Sequence, residues 1–145
     1  MNIFYLDSNP VKSAELHCDK HVVKMIIEYA QLMSTAHRVL DGDLYEDRTA
    51  NNHRIKRWRL SDSNMENVVY KASHINHPSA IWTRASDSNY QFVYDMFVAL
   101  CNEYTHRYGR VHLTEEKLKD LLQHLPNNIA SADFVEPPQA MPDDV

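Results

Sequence analysis

The scarcity of glycine is the feature that most restricts the folds open to this chain. Only 2 of its 145 residues are glycine, Gly42 and Gly109. Sheet-rich proteins depend on tight turns with positive φ, which glycine adopts at the least cost. Several segments also place apolar residues three and four positions apart, the period of an amphipathic helix. We therefore expect an all-α fold, a compact helical bundle, with no sheet beyond a short N-terminal strand in MNIFYL and with an extended C-terminal tail.

Capping and breaking residues divide the chain into helical segments. Predicted helix starts lie at residues that cap or open helices: Ser8 or Asn9 with Pro10, Asp62 or Ser63, Pro78 and Thr114. Predicted ends lie at residues that stop helices: Asp41 to Asp43, Gly109 and Pro126. The segment 78–109 is expected to hold two helices that meet near residues 86–88, or one kinked helix. Residues 43–60 are polar without clear periodicity, so we expect a loop or short helices there.

The length and the ends of the chain indicate one domain with a tail. A chain of 145 residues can bury a single core without disulfides. We predict a helical domain over residues 1–126. Residues 127–145 are acidic and proline-rich, and they are expected to pack on that domain or to trail from it as an extended tail, with Phe134, Val135 and Met141 as its apolar contacts. The sequence leaves the oligomeric state open.

Composition restricts the compartment and the partners. Two cysteines do not make a disulfide framework, and neither a secretory signal nor a membrane-length apolar run is visible, so we expect a cytoplasmic protein without a membrane partner. The net charge of −5 argues against a surface covered with phosphate-binding groups. One local strip differs, because residues 53–59 place Arg54, Lys56, Arg57 and Arg59 around Trp58. Cations beside an aromatic ring are typical of a nucleic-acid-binding strip, although a solvated loop would have the same composition.

A stripe of ionisable residues runs along the predicted helix that contains 17-HCDKHVVKMIIEYAQ-31. His17, His21, Lys24 and Glu28 are spaced by four, three and four residues and therefore share one face. Two histidines one turn apart could hold a metal with Glu28 as a third ligand. The same residues could instead form a polar functional pocket without metal, which we favour, or a structural hydrogen-bond network. No metal or other cofactor is expected.

Two further clusters mix histidine with arginine and aromatic residues. In 76-NHPSAIWTR-84, His77 precedes a helix start and Trp82 and Arg84 follow, an arrangement that suits an anion at a helix N-terminus. The alternative is a helix cap with Trp82 in the core. In 103-EYTHRYGRVH-112, Arg107 can pair with Glu103, and His112 lies in the turn that follows. Cations at a helix C-terminus also have a purely structural explanation in the helix dipole.

These three segments together resemble a family of small uncharacterised proteins from tailed bacteriophages, and the resemblance covers most of the chain. A more distant similarity is to the phage pyrimidine-dimer DNA glycosylase, a small all-helical enzyme. The catalytic helix of that enzyme has Asp, His and Glu at the spacing of Asp19, His21 and Glu28. The glycosylase uses the N-terminal amine of a small second residue as its nucleophile, whereas residue 2 here is Asn2. The resemblance therefore implies that Lys20 or Lys24 replaces that amine, or that water is activated instead.

The sequence and the resemblance together predict a phage protein that acts on nucleic acid or a nucleotide, with DNA-glycosylase-like chemistry in an infected bacterium. The expected catalytic residues are Glu28, His21, His17 and Lys24. The expected nucleic-acid or phosphate contacts are Lys20, Arg54, Arg57, Trp58, His77, Trp82, Arg84, Arg107 and His112. Two alternatives remain open, a protein that sequesters a small nucleotide without catalysis and a metal-dependent hydrolase with a histidine-rich site.

Overall fold

The computed structural model describes residue 9 and residues 19–138, and for residues 19–21 it describes the backbone only. The helices in this part of the chain are α1 (Asp19–Asp41), α2 (Ser63–Val68), α3 (Pro78–Ala85), α4 (Asp87–Tyr108) and α5 (Leu113–Leu122). Two strands, β1 (Asp43–Arg48) and β2 (Arg54–Arg59), form one antiparallel hairpin between α1 and α2. The protein is thus mostly helical, with a small sheet. The N-terminal strand predicted for MNIFYL lies outside the described residues.

The core forms around α1 and α4. Along α1, Val22, Met25, Ile26 and Tyr29 are at most 1% exposed, and they recur at the spacing of one helical face. Helix α1 packs against α3, α4 and α5, and α4 contributes a second buried face. The largest side chains with almost no exposure in α4 are Tyr90, Phe97, Met96 and Leu100. The apolar residues that recur at helical spacing in the sequence therefore form the core of the bundle, as expected.

Local capping chemistry explains where α3 and α4 meet. Pro78 occupies the first turn of α3, where its missing N–H costs no hydrogen bond. Ser86 has an extended backbone, ends α3, and accepts a hydrogen bond from the Asn89 N–H at 3.1 Å to cap α4. Gly109 ends α4 with a left-handed φ of 69°. The predicted break near residues 86–88 and the predicted stop at Gly109 are both confirmed.

The helix α2 is short, and the start of α5 differs from the sequence-based prediction. Asp62 caps α2 as expected, and the helix ends at Val68. The extended segment after it supplies backbone carbonyls to buried side chains, and Arg38 alone binds two of them. At the last helix the cap is His112, two residues before the predicted Thr114, because the His112 ring accepts the Thr114 N–H.

The hairpin contradicts the prediction for residues 43–60 and the prediction of no further sheet. Its loop does without glycine, since Asn52 adopts a φ of 63° and asparagine tolerates this left-handed conformation. The loop is closed by the Thr49 N–H, which donates to the His53 carbonyl at 2.9 Å. Glycine scarcity therefore limits the sheet but does not exclude it.

The segment after α5 runs back over the body. The Asp41 carboxylate at the end of α1 accepts the backbone N–H groups of Asn127 and Asn128 at 2.7 and 2.9 Å. Farther along, the Val135 carbonyl accepts the Trp82 indole N–H at 2.9 Å, and the Phe134 ring packs edge-on against the Trp82 ring. Residues 127–135 are therefore attached to the bundle at several points. Met141, the third predicted contact, lies outside the described residues.

None of the helices in the described part of the chain is long and apolar enough to cross a membrane.

Candidate functional site

The hairpin sorts its side chains onto two faces. Strand register pairs Leu44 with Trp58, Glu46 with Lys56 and Arg48 with Arg54. Directly paired residues in an antiparallel sheet point to the same side. All of these residues except the half-buried Trp58 are exposed, so this side meets solvent. We call these six residues the outer face.

Positive charge dominates the outer face. Arg48, Arg54 and Lys56 face a single carboxylate, Glu46, which pairs with Lys56. Arg48 lies directly opposite Arg54, and like charges in that position destabilise a hairpin. Arg48 donates to the Asn52 carbonyl at 3.2 Å in the loop. The register therefore places two arginines opposite each other at the end of the hairpin, and this local positive charge suits a polyanion.

The other two cations of the predicted strip lie on the opposite face of β2. The Arg57 guanidinium donates to the Ala72 carbonyl at 3.1 Å, so Arg57 holds the hairpin against the body. The Arg59 guanidinium lies 4.4 Å from the centre of the Tyr45 ring, a cation–π contact. The sequence analysis predicted residues 53–59 as a single strip because it expected a loop, in which side chains do not alternate between two sides. Arg57 fits a structural role better than the predicted phosphate contact.

Trp58 lies on the outer face close to the point where the hairpin joins α1. Its backbone carbonyl accepts the Arg38 guanidinium at 2.8 Å. A Cβ placed on Gly42 would come within 2.9 Å of the Trp58 Cβ and within 2.5 Å of the Arg38 carbonyl oxygen, so only glycine fits there. Trp58 is thus firmly anchored through its backbone, and the residue as a whole is only half-buried.

The described part of the α1 stripe contains an amine and a carboxylate. Lys24 Nζ lies 3.6 Å from Glu28 Oε2, and the two side chains are 72% and 20% exposed. Farther along the same face, Gln31 donates to the Lys71 carbonyl at 2.7 Å, and Thr35 bonds the backbone of Ser73. Lys24 therefore places a cation beside the Glu28 carboxylate.

The described residues do not include the side chains of the two stripe histidines. His17 lies outside the described residues, as do the side chains of Lys20, His21 and Asp19. Whether the histidines and Glu28 share one pocket therefore stays a prediction.

His77 and His112 act as helix caps. His77 Nδ1 accepts the Ser79 N–H, and His112 Nδ1 accepts the Thr114 N–H, both at 3.1 Å. Burial lowers the pKa of both imidazoles, which favours the neutral ring that this acceptor role requires. The capping alternative therefore accounts for His77, and His112 has the same role at the start of α5, which the sequence analysis did not predict. Histidine is not among the usual capping residues, so the sequence alone could not decide this.

The remaining predicted contacts are spread over α3 and α4. Trp82 is 8% exposed, its N–H is bonded to Val135, and its ring packs against aromatic neighbours. This core position leaves it no role in stacking on a base, a correction to that expectation. Arg84 has an Nη1 atom that is buried without a hydrogen-bond partner, and burial lowers its pKa. Arg107 forms the expected i, i+4 pair with Glu103 at 3.6 Å.

A cavity that sequence reasoning missed lies where the hairpin joins the body. It has a volume of about 430 Å³ and lies between the end of α1, the residues after β2 and the turn after α5. Its polar lining includes His37, Asp41, Asp62, His124 and Asn127. These residues are far apart in sequence and form no motif, so the fold alone reveals the site.

The most buried polar group of the cavity is His37, which is 3% exposed. The Tyr90 hydroxyl donates to the Leu122 carbonyl at 2.7 Å and lies 2.8 Å from His37 Nε2. Burial is the main cause that lowers the pKa of His37 to about 4, so the ring is neutral near pH 7.

Among the described residues, no three His, Cys, Asp or Glu side chains are arranged to hold a metal ion. Comparison with known proteins gives no further guide, because no family model, curated protein or solved structure matches this chain.

Proposed function

We propose that this protein binds nucleic acid through the outer face of the hairpin. The observation that carries the proposal is the direct pairing of Arg48 with Arg54 next to Lys56 on an exposed surface. Like charges in register cost stability in the unbound protein. Phosphate groups placed along this face remove that cost and release counterions from the nucleic acid. Such a pairing is therefore most useful in a protein that meets a polyanion.

The size and composition of the outer face favour a single strand over a long duplex footprint. The net charge of the whole chain is −5, so attraction is confined to this local surface. Three cations contact few phosphates, which gives a shallow dependence of affinity on salt. Trp58 lies at the other end of the same face and is only half-buried, and an unpaired base can stack on an indole in such a position.

Fluorescence anisotropy with a labelled 12-nucleotide single strand tests this proposal. Arg54→Gln should weaken binding about tenfold at low salt and reduce the salt slope by about 0.7, the value for one lost phosphate contact on a single strand. Arg59→Gln is the matched control, because it removes the same residue type from the same strand on the opposite face. Equal affinities of the two variants, or no binding by the parent protein, would refute the proposal.

A second candidate function is glycosylase-like chemistry at Glu28 on the bound nucleic acid. The observation that favours it is the proximity of the Lys24 amine to the partly buried Glu28 carboxylate. In a hydrolytic version, water adds to C1′ of the sugar as the C1′–N bond breaks, and the proton released from water goes to the departing base. The Glu28 carboxylate would stabilise the positive charge that develops on the sugar. Together with the resemblance to tailed-phage proteins, this would make the chain a phage enzyme of DNA repair or modification.

The change Glu28→Gln tests this candidate, because it keeps the shape of the side chain and removes its charge. It should abolish release of base from labelled DNA while the affinity for the strand and the melting temperature stay near those of the parent. Lys24→Gln separates the two mechanisms, since it abolishes turnover only if the amine is the nucleophile. A parent protein that binds DNA and releases no base would exclude the chemistry and leave the binding proposal intact.

A further inference from the structure

The cavity beside the hairpin lies at the end of the outer face. Asp41 comes two residues before β1, and Leu60, Ser61 and Asp62 follow β2 directly. Leu60 is two residues beyond Trp58, a separation of roughly 7 Å along an extended chain. A strand that follows the outer face toward its aromatic end therefore reaches the mouth of the cavity next.

The lining of the cavity combines apolar walls with available hydrogen-bonding groups. Leu60, Met65 and Leu121 supply apolar surface. In the described part of the chain, the Ser61 hydroxyl and the Asn127 side-chain amide make no hydrogen bond to other protein groups, so both can serve a ligand. An amide offers a donor and an acceptor side by side, as the edge of a nucleobase does. A planar heterocycle can thus pack against the walls and bond at the rim.

The charge of the cavity excludes phosphate from it. The described residues that line it include the carboxylates of Asp41 and Asp62 but no lysine or arginine. The buried His37 is neutral near pH 7. A nucleotide held here alone would leave its phosphate beside carboxylates, an arrangement that repels it. The cations that phosphate requires lie on the outer face of the hairpin instead.

From these observations we propose that the cavity receives one unpaired nucleobase of a strand whose phosphates lie on the outer face. The inference rests on the proposed nucleic-acid binding and adds the part of the ligand that the cavity recognises. A volume of about 430 Å³ is within the range of small-molecule sites and accommodates one base with its sugar. The two parts of the site have different tasks: the cationic outer face binds the backbone, and the cavity, whose lining has no lysine or arginine, binds the base.

Two 12-nucleotide probes of equal charge test this inference, a thymidine strand and a strand of abasic sugar phosphates. The parent protein should bind the thymidine strand about tenfold tighter, within the range expected for stacking one base. Ser61→Phe, which fills the mouth of the cavity, should reduce that preference to less than threefold and leave the affinity for the abasic strand unchanged. Arg54→Gln should weaken both complexes equally.

A milder variant guards against misfolding of the filled cavity. Asn127→Ala removes an exposed amide and should also reduce the preference for the thymidine strand, whereas Gln123→Ala, an exposed residue on the adjacent turn outside the lining, should not. The inference is overturned if both cavity variants keep the full preference, a result that would assign base recognition to Trp58. If the parent binds neither probe, the proposed function fails together with this inference.

Discussion

Arg38 and Arg54 are two arginines near the hairpin whose surroundings are opposite. Arg38 is enclosed by hydrogen-bond acceptors, and Arg54 is exposed to solvent. Arg38, in α1, is 2% exposed, and all its guanidinium donors are used inside the protein. They bond the carbonyls of Tyr70, Trp58, Glu66 and Val69 and one Glu66 carboxylate oxygen, at 2.6–3.0 Å. Arg54, on the outer face, is exposed and lies opposite another arginine.

The difference separates cations that hold the fold together from cations that are available to a ligand. A buried guanidinium is tolerated only when acceptors surround it, and Arg38 joins α1, the hairpin and the segment after α2 in this way. The same contact affects the pKa of its partner Glu66. Burial alone would raise the pKa of Glu66, but the Leu60 N–H and the Arg38 guanidinium together hold it below its usual range. The outer face has no comparable set of acceptors.

The largest expected effect comes from removing the buried cation. Arg38→Met should lower the free energy of unfolding by about 3–5 kcal/mol, because it leaves several carbonyls and the Glu66 carboxylate without their donor. Arg54→Met is the matched control and should change stability by less than about 0.5 kcal/mol. Urea unfolding followed by circular dichroism measures both. Similar losses for the two variants would break the distinction between the two kinds of cation.

The second prediction extends the comparison to His37, another fully engaged group of the body. Its pKa is about 4 in the folded protein against an ordinary value of 6.5, so the folded state resists protonation. The associated stabilisation is present above pH 6.5 and is lost as the pH falls toward 4, a change of about 3 kcal/mol. Nearby Asp41 and a hydrogen bond to the backbone of His124 oppose the lowering of this pKa, and the charge of the His124 ring adds a smaller contribution to the lowering. Unfolding in urea at pH 7.5 and pH 4.5 measures the loss.

His37→Gln isolates this contribution because glutamine does not titrate. The variant should be less stable at pH 7.5, and its own decline between the two pH values should be smaller than that of the parent by about 2–3 kcal/mol. His53→Gln, at the exposed hairpin loop, should leave the decline unchanged. If His37→Gln and the parent decline equally, His37 is not the group that links stability to pH.

The third prediction concerns the outer face, where stability and binding should move in opposite directions. Arg48→Glu converts a like-charge pair into an opposite-charge pair, which should stabilise the protein by about 0.2–1 kcal/mol. The same change should weaken binding of a single strand by more than tenfold, because it replaces an attractive charge with a repulsive one. Thermal melting and anisotropy of the same sample test both halves. A variant that loses stability as well would show that the pair has a structural role.

Sequence patterns predicted the elements whose causes are local. The break at Ser86, the stop at Gly109 and the cap at Asp62 each depend on residues within one turn of the helix end. The hairpin escaped prediction because its charges occupy both faces and its loop uses Asn52 instead of glycine. The alternation of side chains along β2 decides which cations of residues 53–59 lie on the outer face. Because the strands were not predicted, this division could not be predicted either.

The cavity could not have been predicted, for a different reason. His37, Asp41 and Asn127 approach one another only because the turn after α5 returns to the end of α1, where Asp41 binds it. Contacts between residues more than 80 positions apart leave no periodicity in a single sequence. The predicted catalytic stripe is the converse case: its spacing is clear from sequence, and its described part shows the Lys24–Glu28 pair.

The smallest expected effect concerns His112. One of its ring nitrogens accepts a hydrogen bond and the residue is partly buried, so its surroundings are intermediate between those of Arg38 and Arg54. His112→Ala should lower stability by about 1 kcal/mol at pH 7.5 through loss of the cap on the Thr114 N–H, and His112→Asp should restore most of it. Burial is the main cause that lowers the pKa of His112, so the contribution of the cap is present above pH 6.5 and falls as the pH drops through the lowered value. The stability gap between the parent and His112→Ala should therefore be smaller at pH 4.5 than at pH 7.5, while His112→Asp remains above both. A gap between parent and His112→Ala that is as large at pH 4.5 as at pH 7.5 would mean that the imidazole stabilises α5 by packing rather than by accepting the N–H.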